Sequence, residues 1–563
     1  MGSLHPAIPM LLGSLLLPFL GRRWRGLLMI GLPAFGLYNL LGFETGDSMT
    51  LPFAGFELDV LRVDKLSLLF GYLFHIAALV IGVYCWHVKS RLEHFTALMY
   101  AGSAIGAVFS GDLLTLFLFW ELLAVTSVFQ IWAAGGAEAR HAGIRYLLTH
   151  ITSGLLLLIG LVMKYQAGDG FGFETMELEG TANWLIFLAF GIKAAFPIAH
   201  TWLVDAYPAA TATGTLVLSA FTTKVAVYCL ARGFRGADEL IYIGAVMCLF
   251  PMIYAVIEND LRRVLSYSMV NQIGFMVVGI GIGTDLAFNG AVAHAFADVI
   301  FKGLLFMSMG AIYMRLGTTK GTELGGLYKT MPWTTFFCII GALAISAMPF
   351  FSAFVTKTMI MQGAADQDLT WLWMIMLFAS CGVLEHAGIK IPYFAFFAHD
   401  SGKRPKEAPL NMRFAMGISA TLCILIGVFY KQFYALLPEP TTYSAYSFTH
   451  LVTQTQLLVF SAAAVFGLML IGKYPPEIRS VNLDADVLWR KGLLGIWRKG
   501  LHPVFLAASA VEERFLAWSP KAVVRLFGHK LPRFSLFREW AGGAVVVLIT
   551  LMLGVYLGLV FFA

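Results

Sequence analysis

Seven ionisable side chains stand inside otherwise apolar stretches of this sequence: Glu121, Lys193, Lys224, His294, Asp298, Lys302 and Lys357. A lysine at the centre of a bilayer costs at least about 2.5–3.5 kcal/mol, so such residues are rare and line a bundle interior or a water-filled path. Each of these side chains can accept or release a proton, and proton transfer is therefore the chemistry they could share. Lys193 and Lys224 fall near the middles of two apolar helices in WLIFLAFGIKAAFPIAHTWLVDAYPAATATGTLVLSAFTTKVAVYCLAR, residues 184–232. In a continuous helix the N–H missing at Pro197 would have bonded the Lys193 carbonyl, so that carbonyl is freed beside the ammonium. A helix broken next to a buried charge suggests an ion site.

The association recurs in reverse order in ALAISAMPFFSAFVTKTMIMQG, where Pro349 breaks an apolar helix and Lys357 follows eight residues later. In GAVAHAFADVIFKGLLFMSMG, His294, Asp298 and Lys302 are spaced four apart and lie along one face of one helix. That face is a polar stripe in apolar surroundings, which a hydrated proton path requires. Glu121, within GDLLTLFLFWELLAVTSVF, is expected to be neutral unless an ammonium lies nearby, and Lys193 is the expected partner.

The elements that must position these groups are membrane spans. The chain has 563 residues, of which 59% are hydrophobic and 13% charged, with a mean hydropathy of +0.77. Apolar runs of about twenty residues recur from end to end, which defines an all-α polytopic membrane protein. About sixteen spans are expected, centred near residues 14, 33, 76, 102, 122, 153, 194, 223, 248, 273, 300, 345, 383, 421, 461 and 551. Between the second and third, SMTLPFAGFELDVLRVD alternates polar and apolar residues, favouring a short surface hairpin. The six cysteines lie singly in apolar runs with no CxxC or Cys/His cluster, arguing against zinc, iron–sulfur or disulfide chemistry. No dinucleotide-binding or Walker motif is present, so no metal or cofactor is expected in this chain.

Loop charges set an expected orientation. Arg22, Arg23, Arg25, Lys89, Arg91, Arg140, Arg145, Arg262, Arg263, Arg315, Lys320, Lys329, Lys403, Arg404 and Lys406 fall on alternate loops, while the opposite loops carry acidic stretches such as GDGFGFETMELEG. The positive-inside rule makes the first set cytoplasmic and puts both termini outside a cell membrane, the inner one where there are two. The excess of six positive charges is thus a matter of topology, with no nucleic-acid partner implied. From 481 to 540, Trp, Leu and Phe alternate with Arg and Lys, the composition of an amphipathic segment lying on lipid headgroups. A final span follows over 541–563.

Corresponding interruptions in two halves of a membrane chain point to inverted repeats. The expected organisation is N-terminal spans and a hairpin over 1–93, a five-helix repeat over 94–232, its inverted counterpart over 239–397, and accessory spans over 398–480. Glu385, His386 and Lys390, in LEHAGIK, would take the place of Lys224 in the second repeat, either as path residues or as snorkelling anchors.

FGIKAAFPIAHTWLVDAYPAA, TTKVAVYCLAR, ENDLRRVLSYSMVNQIGFMVVGIGIGT and HAFADVIFKGLLFMSMGAIYMRLGT, in this order, resemble the antiporter-like membrane subunits. These are shared by Mrp-type multisubunit Na+/H+ antiporters, respiratory complex I and membrane-bound hydrogenases. The resemblance covers roughly residues 60–400 and is nearest the Mrp D subunit. It implies fourteen or more helices in two inverted five-helix repeats, each with a broken helix. It also implies proton movement along a central chain in which Glu121, Lys193, Lys224, Lys302 and Lys357 match the family's charged positions. Asp298 stands where a second histidine of H-x-x-x-H is expected. The partners implied are other membrane subunits, protons and Na+. Alternatives are a proton-pumping subunit of a quinone oxidoreductase, hydrogenase or inorganic-carbon uptake complex, and a membrane scaffold that moves no ions. Any enzymatic role would lie in partner subunits.

Overall fold

A computed structural model describes residues 4–53, 55–474, 478 and 482–488. The chain divides into two compact units, Met1–Asn482 and Leu483–Ala563, and the architecture below is that of the first. Apart from residues 482–488, the amphipathic segment expected over 481–540 and the final span over 541–563 lie outside the described residues.

The bilayer offers backbone groups no hydrogen-bond partners, so a spanning chain must satisfy them within helices. The first unit accordingly runs α1 (Ile8–Ser14), α2 (Arg22–Leu40), β1 (Ser48–Phe53), β2 (Phe56–Arg62), α3 (Lys65–Tyr84), α4 (Arg91–Phe109), α5 (Leu113–Trp132) and α6 (Gly136–Ala167). It continues through α7 (Gly180–Lys193), α8 (Thr201–Ala209), α9 (Gly214–Ala220), α10 (Thr222–Gly233), α11 (Asp238–Ile257), α12 (Leu261–Ile282) and α13 (Asp285–Leu316). Last come α14 (Pro332–Ile345), α15 (Ser352–Asp366), α16 (Thr370–Val383), α17 (Leu410–Val428), α18 (Tyr430–Tyr434) and α19 (Phe448–Leu470). Among the described residues ten helices are long and apolar enough to cross a membrane, and shorter apolar helices cover Ile8–Phe19 and Pro332–Ile345. Every expected span centre from residue 14 to residue 461 falls in a helix or at the edge of a broken one. The expected hairpin is present, with β1 antiparallel to β2.

Two stretches of the fold repeat the same local devices. Asp112 caps α5 by accepting from the Thr115 N–H, and Asp260 caps α12 by accepting from the Arg262 and Arg263 N–H groups. Each capping residue also forms an isolated antiparallel bridge beyond the following helix, Asp112 with Gly172 and Asp260 with Lys320. Those following helices, α6 and α13, are both 32 residues long and end on left-handed glycines, Gly168 and Gly317. A helix broken at a proline comes next in each stretch. Ala195 and Ile198 take φ of 61° and 72° around Pro197, and Ala347 and Phe350 take 57° and 73° around Pro349. Positive φ is uncommon for any residue but glycine, and its appearance at matching positions in both breaks marks one backbone turn used twice.

At the centre lies α13, whose apolar window is wholly buried, as is that of Gly214–Gly233. Beside it α11 and α12 meet backbone to backbone through small residues. A Cβ on Gly274 would lie 2.7 Å from the Cys248 nitrogen, and one on Gly281 2.7 Å from the Ile241 nitrogen. Gly274→Val is therefore expected to destabilise the seam by about 1–3 kcal/mol. The measurement is the thermal aggregation temperature of the detergent-solubilised protein, which should fall for Gly274→Val and stay put for Gly467→Ala, whose added methyl meets open space.

Candidate functional site

The first break ends α7 on Lys193, so this lysine sits at a helix terminus and not in mid-helix as its sequence position suggests. Its ammonium is fully buried, donates to the Trp120 carbonyl on α5 at 2.5 Å and lies 4.1 Å from the centroid of the Trp120 ring. The Trp120 indole N–H donates to Ser153 Oγ at 3.0 Å, and the Ser153 hydroxyl donates to the Ala189 carbonyl at 2.7 Å. Through these two bonds α5, α6 and α7 are tied together around the ammonium.

The expected Glu121–Lys193 ion pair is not formed: no carboxylate oxygen of Glu121 lies within 4 Å of the ammonium among the described residues. The neighbouring residue Trp120 supplies both a carbonyl and a ring to Lys193, and Glu121 is left turned toward α6. There Gly154 makes room for it, since a Cβ at that position would overlap Oε1. That oxygen is buried without a hydrogen-bond partner among the described residues.

His150, also on α6, drew no attention in the sequence. It is fully buried, wedged between the rings of Tyr146 and Trp202 at centroid distances of 4.1 and 4.5 Å, and neither ring nitrogen is hydrogen-bonded among the described residues. The Trp202 indole N–H donates to the Ile192 carbonyl at 2.9 Å, which places this aromatic sandwich against the Lys193 turn. The signal was available: a histidine near the middle of an otherwise apolar run.

Lys224 lies just after an irregular step at Phe221, where Thr222 is held by the Tyr100 hydroxyl. Its ammonium meets Asp298 Oδ2 of α13 at 2.5 Å, with both side chains fully buried. One turn along α13 the Lys302 ammonium donates to Ser268 Oγ of α12 at 2.7 Å. One turn the other way His294 is held at both nitrogens, Nδ1 at 2.9 Å from Thr356 Oγ1 and Nε2 at 3.0 Å from Gln272 Oε1. A hydrogen on Nε2 satisfies the Gln272 carbonyl, a tautomer set by the amide orientation, and the Thr356 hydroxyl beside Nδ1 also reaches the Ser352 carbonyl at 3.2 Å. That orientation is itself fixed, because the Gln272 amide donates to Asn271 Oδ1 at 2.7 Å and Asn271 donates to the Cys248 carbonyl at 2.5 Å. The stripe expected from the four-residue spacing thus faces the protein interior along its whole length.

Next to Thr356, Lys357 is 2% exposed, 4.5 Å over the Phe275 ring, and without a hydrogen-bond partner among the described residues. Lys390 ends a π-helical turn, Leu384–Lys390, and donates to the carbonyls of Ala255, Val256 and Glu258 at 3.2, 2.5 and 2.7 Å. It caps the C-terminus of α11, where a cation is favoured by the helix dipole. Lys390 and His386 are fully buried, so neither snorkels to the surface. Glu385 accepts a hydrogen bond from the Tyr474 hydroxyl.

Two helices broken at prolines and an interior file of lysines, a carboxylate and an imidazole define a polytopic membrane protein of the antiporter-like class. Residues 110–382 match the family described as NADH:quinone oxidoreductase/Mrp antiporter, TM, and the chain belongs to that family. It is 31% identical over 360 residues to NAD(P)H-quinone oxidoreductase chain 4 1 of Synechococcus sp. strain JA-2-3B'a(2-13), a match covering 59% of this chain and 67% of the relative. In fold it is similar to a chain of the Mrp complex from Dietzia sp. DQ12-45-1b, with a TM-score of 0.71 at 20% identity over 81% of this chain and 98% of that one. It is equally similar to a chain of an archaeal membrane-bound sulfane sulfur reductase, with a TM-score of 0.71 at 22% identity over 98% and 99%.

The Gly154 contact allows Glu121 to be tested without touching a charge. Gly154→Ala should displace the carboxylate and reduce proton flux in proteoliposomes several-fold with assembly intact. Normal flux would mean that the position of Glu121 is immaterial.

Proposed function

We propose that this chain is the proton-translocating membrane subunit of a multisubunit cation/proton antiporter of the Mrp type, moving protons along Glu121, Lys193, Lys224, His294, Asp298, Lys302 and Lys357. The observation that carries the reading is the burial of four lysines and one aspartate in the two broken-helix stretches, Lys193, Lys224, Lys302, Lys357 and Asp298. A scaffold would have no use for charges so costly to bury. Asp298, Lys302 and His294 are joined to neighbouring helices by Lys224, Ser268, Gln272 and Thr356. Protonation at one position can therefore influence the next. At an effective dielectric of about 20, charges roughly 8 Å apart interact by about 2 kcal/mol, or around 1.5 pKa units.

In this reading the repeats span 94–232 and 239–397, Na+ is the exchanged ion, and the chain assembles with further membrane subunits. The membrane is the cell's inner one, both termini lie on its outer side, and the basic 481–540 segment rests on lipid headgroups. A second reading, a proton-pumping subunit of a quinone oxidoreductase, is favoured by the 31% identity to a protein of that name. The two separate on the driving force: flux in vesicles that follows an imposed Na+ gradient supports the antiporter, and flux that appears only with a quinone acceptor and reductant supports the second.

Proton flux measured for Lys193→Ala and Lys357→Ala separately, with assembly verified, tests the series arrangement. Both should abolish it. Intact flux in Lys357→Ala together with loss in Lys193→Ala would make the second stretch structural.

A further inference from the structure

The interior around α13 is short of negative charge. Lys224 comes from α10, Lys302 from α13 itself and Lys357 from α15, all at most 2% exposed. Asp298 is the one buried carboxylate among the described residues of α10, α12, α13 and α15. The other groups that meet this stripe are uncharged or can be: Ser268 and Gln272 from α12, Thr356 from α15, and His294, held at both nitrogens. One carboxylate cannot neutralise three ammonium groups at once, and an unmatched buried charge is strongly disfavoured.

The carboxylate is also loosely held. Oδ2 faces Lys224, while Oδ1 is buried with no hydrogen bond to any hydroxyl, amide or backbone N–H among the described residues. Lys302, one turn along the same face of the same helix, uses a single protein acceptor, Ser268 Oγ. Residues four apart on a helix are side-chain neighbours. A change of rotamer at Asp298 is therefore sufficient to carry its oxygens from Lys224 toward Lys302.

We propose that Asp298 is a shared counter-ion that alternates between Lys224 and Lys302, so that the two lysines hold the ammonium form in turn. This rests on the proton-translocating reading above. With Asp298 on Lys224, Lys224 is the ammonium and Lys302 the amine. When the carboxylate turns, the Lys224 ammonium gives a proton to water on its side, and the Lys302 amine takes one from water on the other. Asp298 stays a carboxylate throughout, and the three groups together carry no net charge in either position. A histidine here could pass protons but could not supply the negative charge that moves.

The test compares Asp298→Asn, Asp298→Glu and Asp298→His in the assembled complex, reading proton flux in proteoliposomes beside Lys193→Ala. Asn and His should each reduce flux at least tenfold, and Glu should retain a substantial part of it. Normal flux in Asp298→Asn, or full flux in Asp298→His, while Lys193→Ala abolishes flux, overturns the shared counter-ion and leaves the proton-translocating reading standing. Normal flux in Lys193→Ala as well is instead the failure of that reading. A readout independent of activity is the structure of Lys224→Met. With its first partner gone, the Asp298 carboxylate should lie within 4 Å of the Lys302 ammonium, and a carboxylate still directed at α10 overturns the proposal even where the Asp298 variants fail to assemble.

Discussion

A charge buried where neither water nor lipid can solvate it must find its compensation in the protein, and this requirement shapes the interior of the fold. Each buried lysine meets it differently. Lys193 takes a carbonyl and an aromatic face from one tryptophan, Lys224 a carboxylate, Lys302 a hydroxyl, Lys357 an aromatic face, and Lys390 three carbonyls at a helix end. The order matters, because compensation ranges from nearly complete at Lys390 to slight at Lys357. A proton carrier needs partial compensation, enough to keep the group buried and not so much that it never gives up its proton. By that criterion Lys390 serves the architecture, and the other four keep the partial compensation that the proposed path requires.

The broken helices serve the same requirement. Prolines at 197 and 349 interrupt the backbone ladder, with left-handed residues on either side of each. Those conformations cost of order 1–3 kcal/mol each and persist only under strong packing. Packing of that kind is visible where Tyr446 accepts from the Phe350 N–H and Gln454 donates to the Ala347 carbonyl. The accessory helices beyond the second stretch thus brace its break from outside.

Much of this was legible in the sequence, for a physical reason. Proline removes a donor wherever it stands, and a lysine in an apolar run is costly wherever it stands, so the breaks and the buried cations could be located from local spacing alone. The i, i+4 stripe on α13 was legible in the same way. What spacing could not give was partnership. Lys224 and Asp298 are on different helices far apart in the chain, and only the packing of α10 against α13 brings them together. The expected Glu121–Lys193 pair is not a close contact, because a ring and a backbone carbonyl at Trp120, neither of them marked by charge, are the nearer ligands, although Glu121 remains the nearest opposite charge acting on Lys193. His150 was overlooked because its neighbours Tyr146 and Trp202 are ordinary core residues until they are seen to enclose it.

The enclosure of α13 has a mechanical consequence. Every residue of its apolar window is buried, whereas only 17% of the corresponding window of α19 is. Whatever surrounds the chain meets α19 directly, while the apolar window of α13 is closed off by other helices. Changes in bilayer thickness or lateral tension must therefore reach Asp298 and its neighbours second-hand, as small displacements of α14, α15 and α17, which pack around α13. The central machinery is shielded from the composition of its host membrane, and the outer helices absorb the variation.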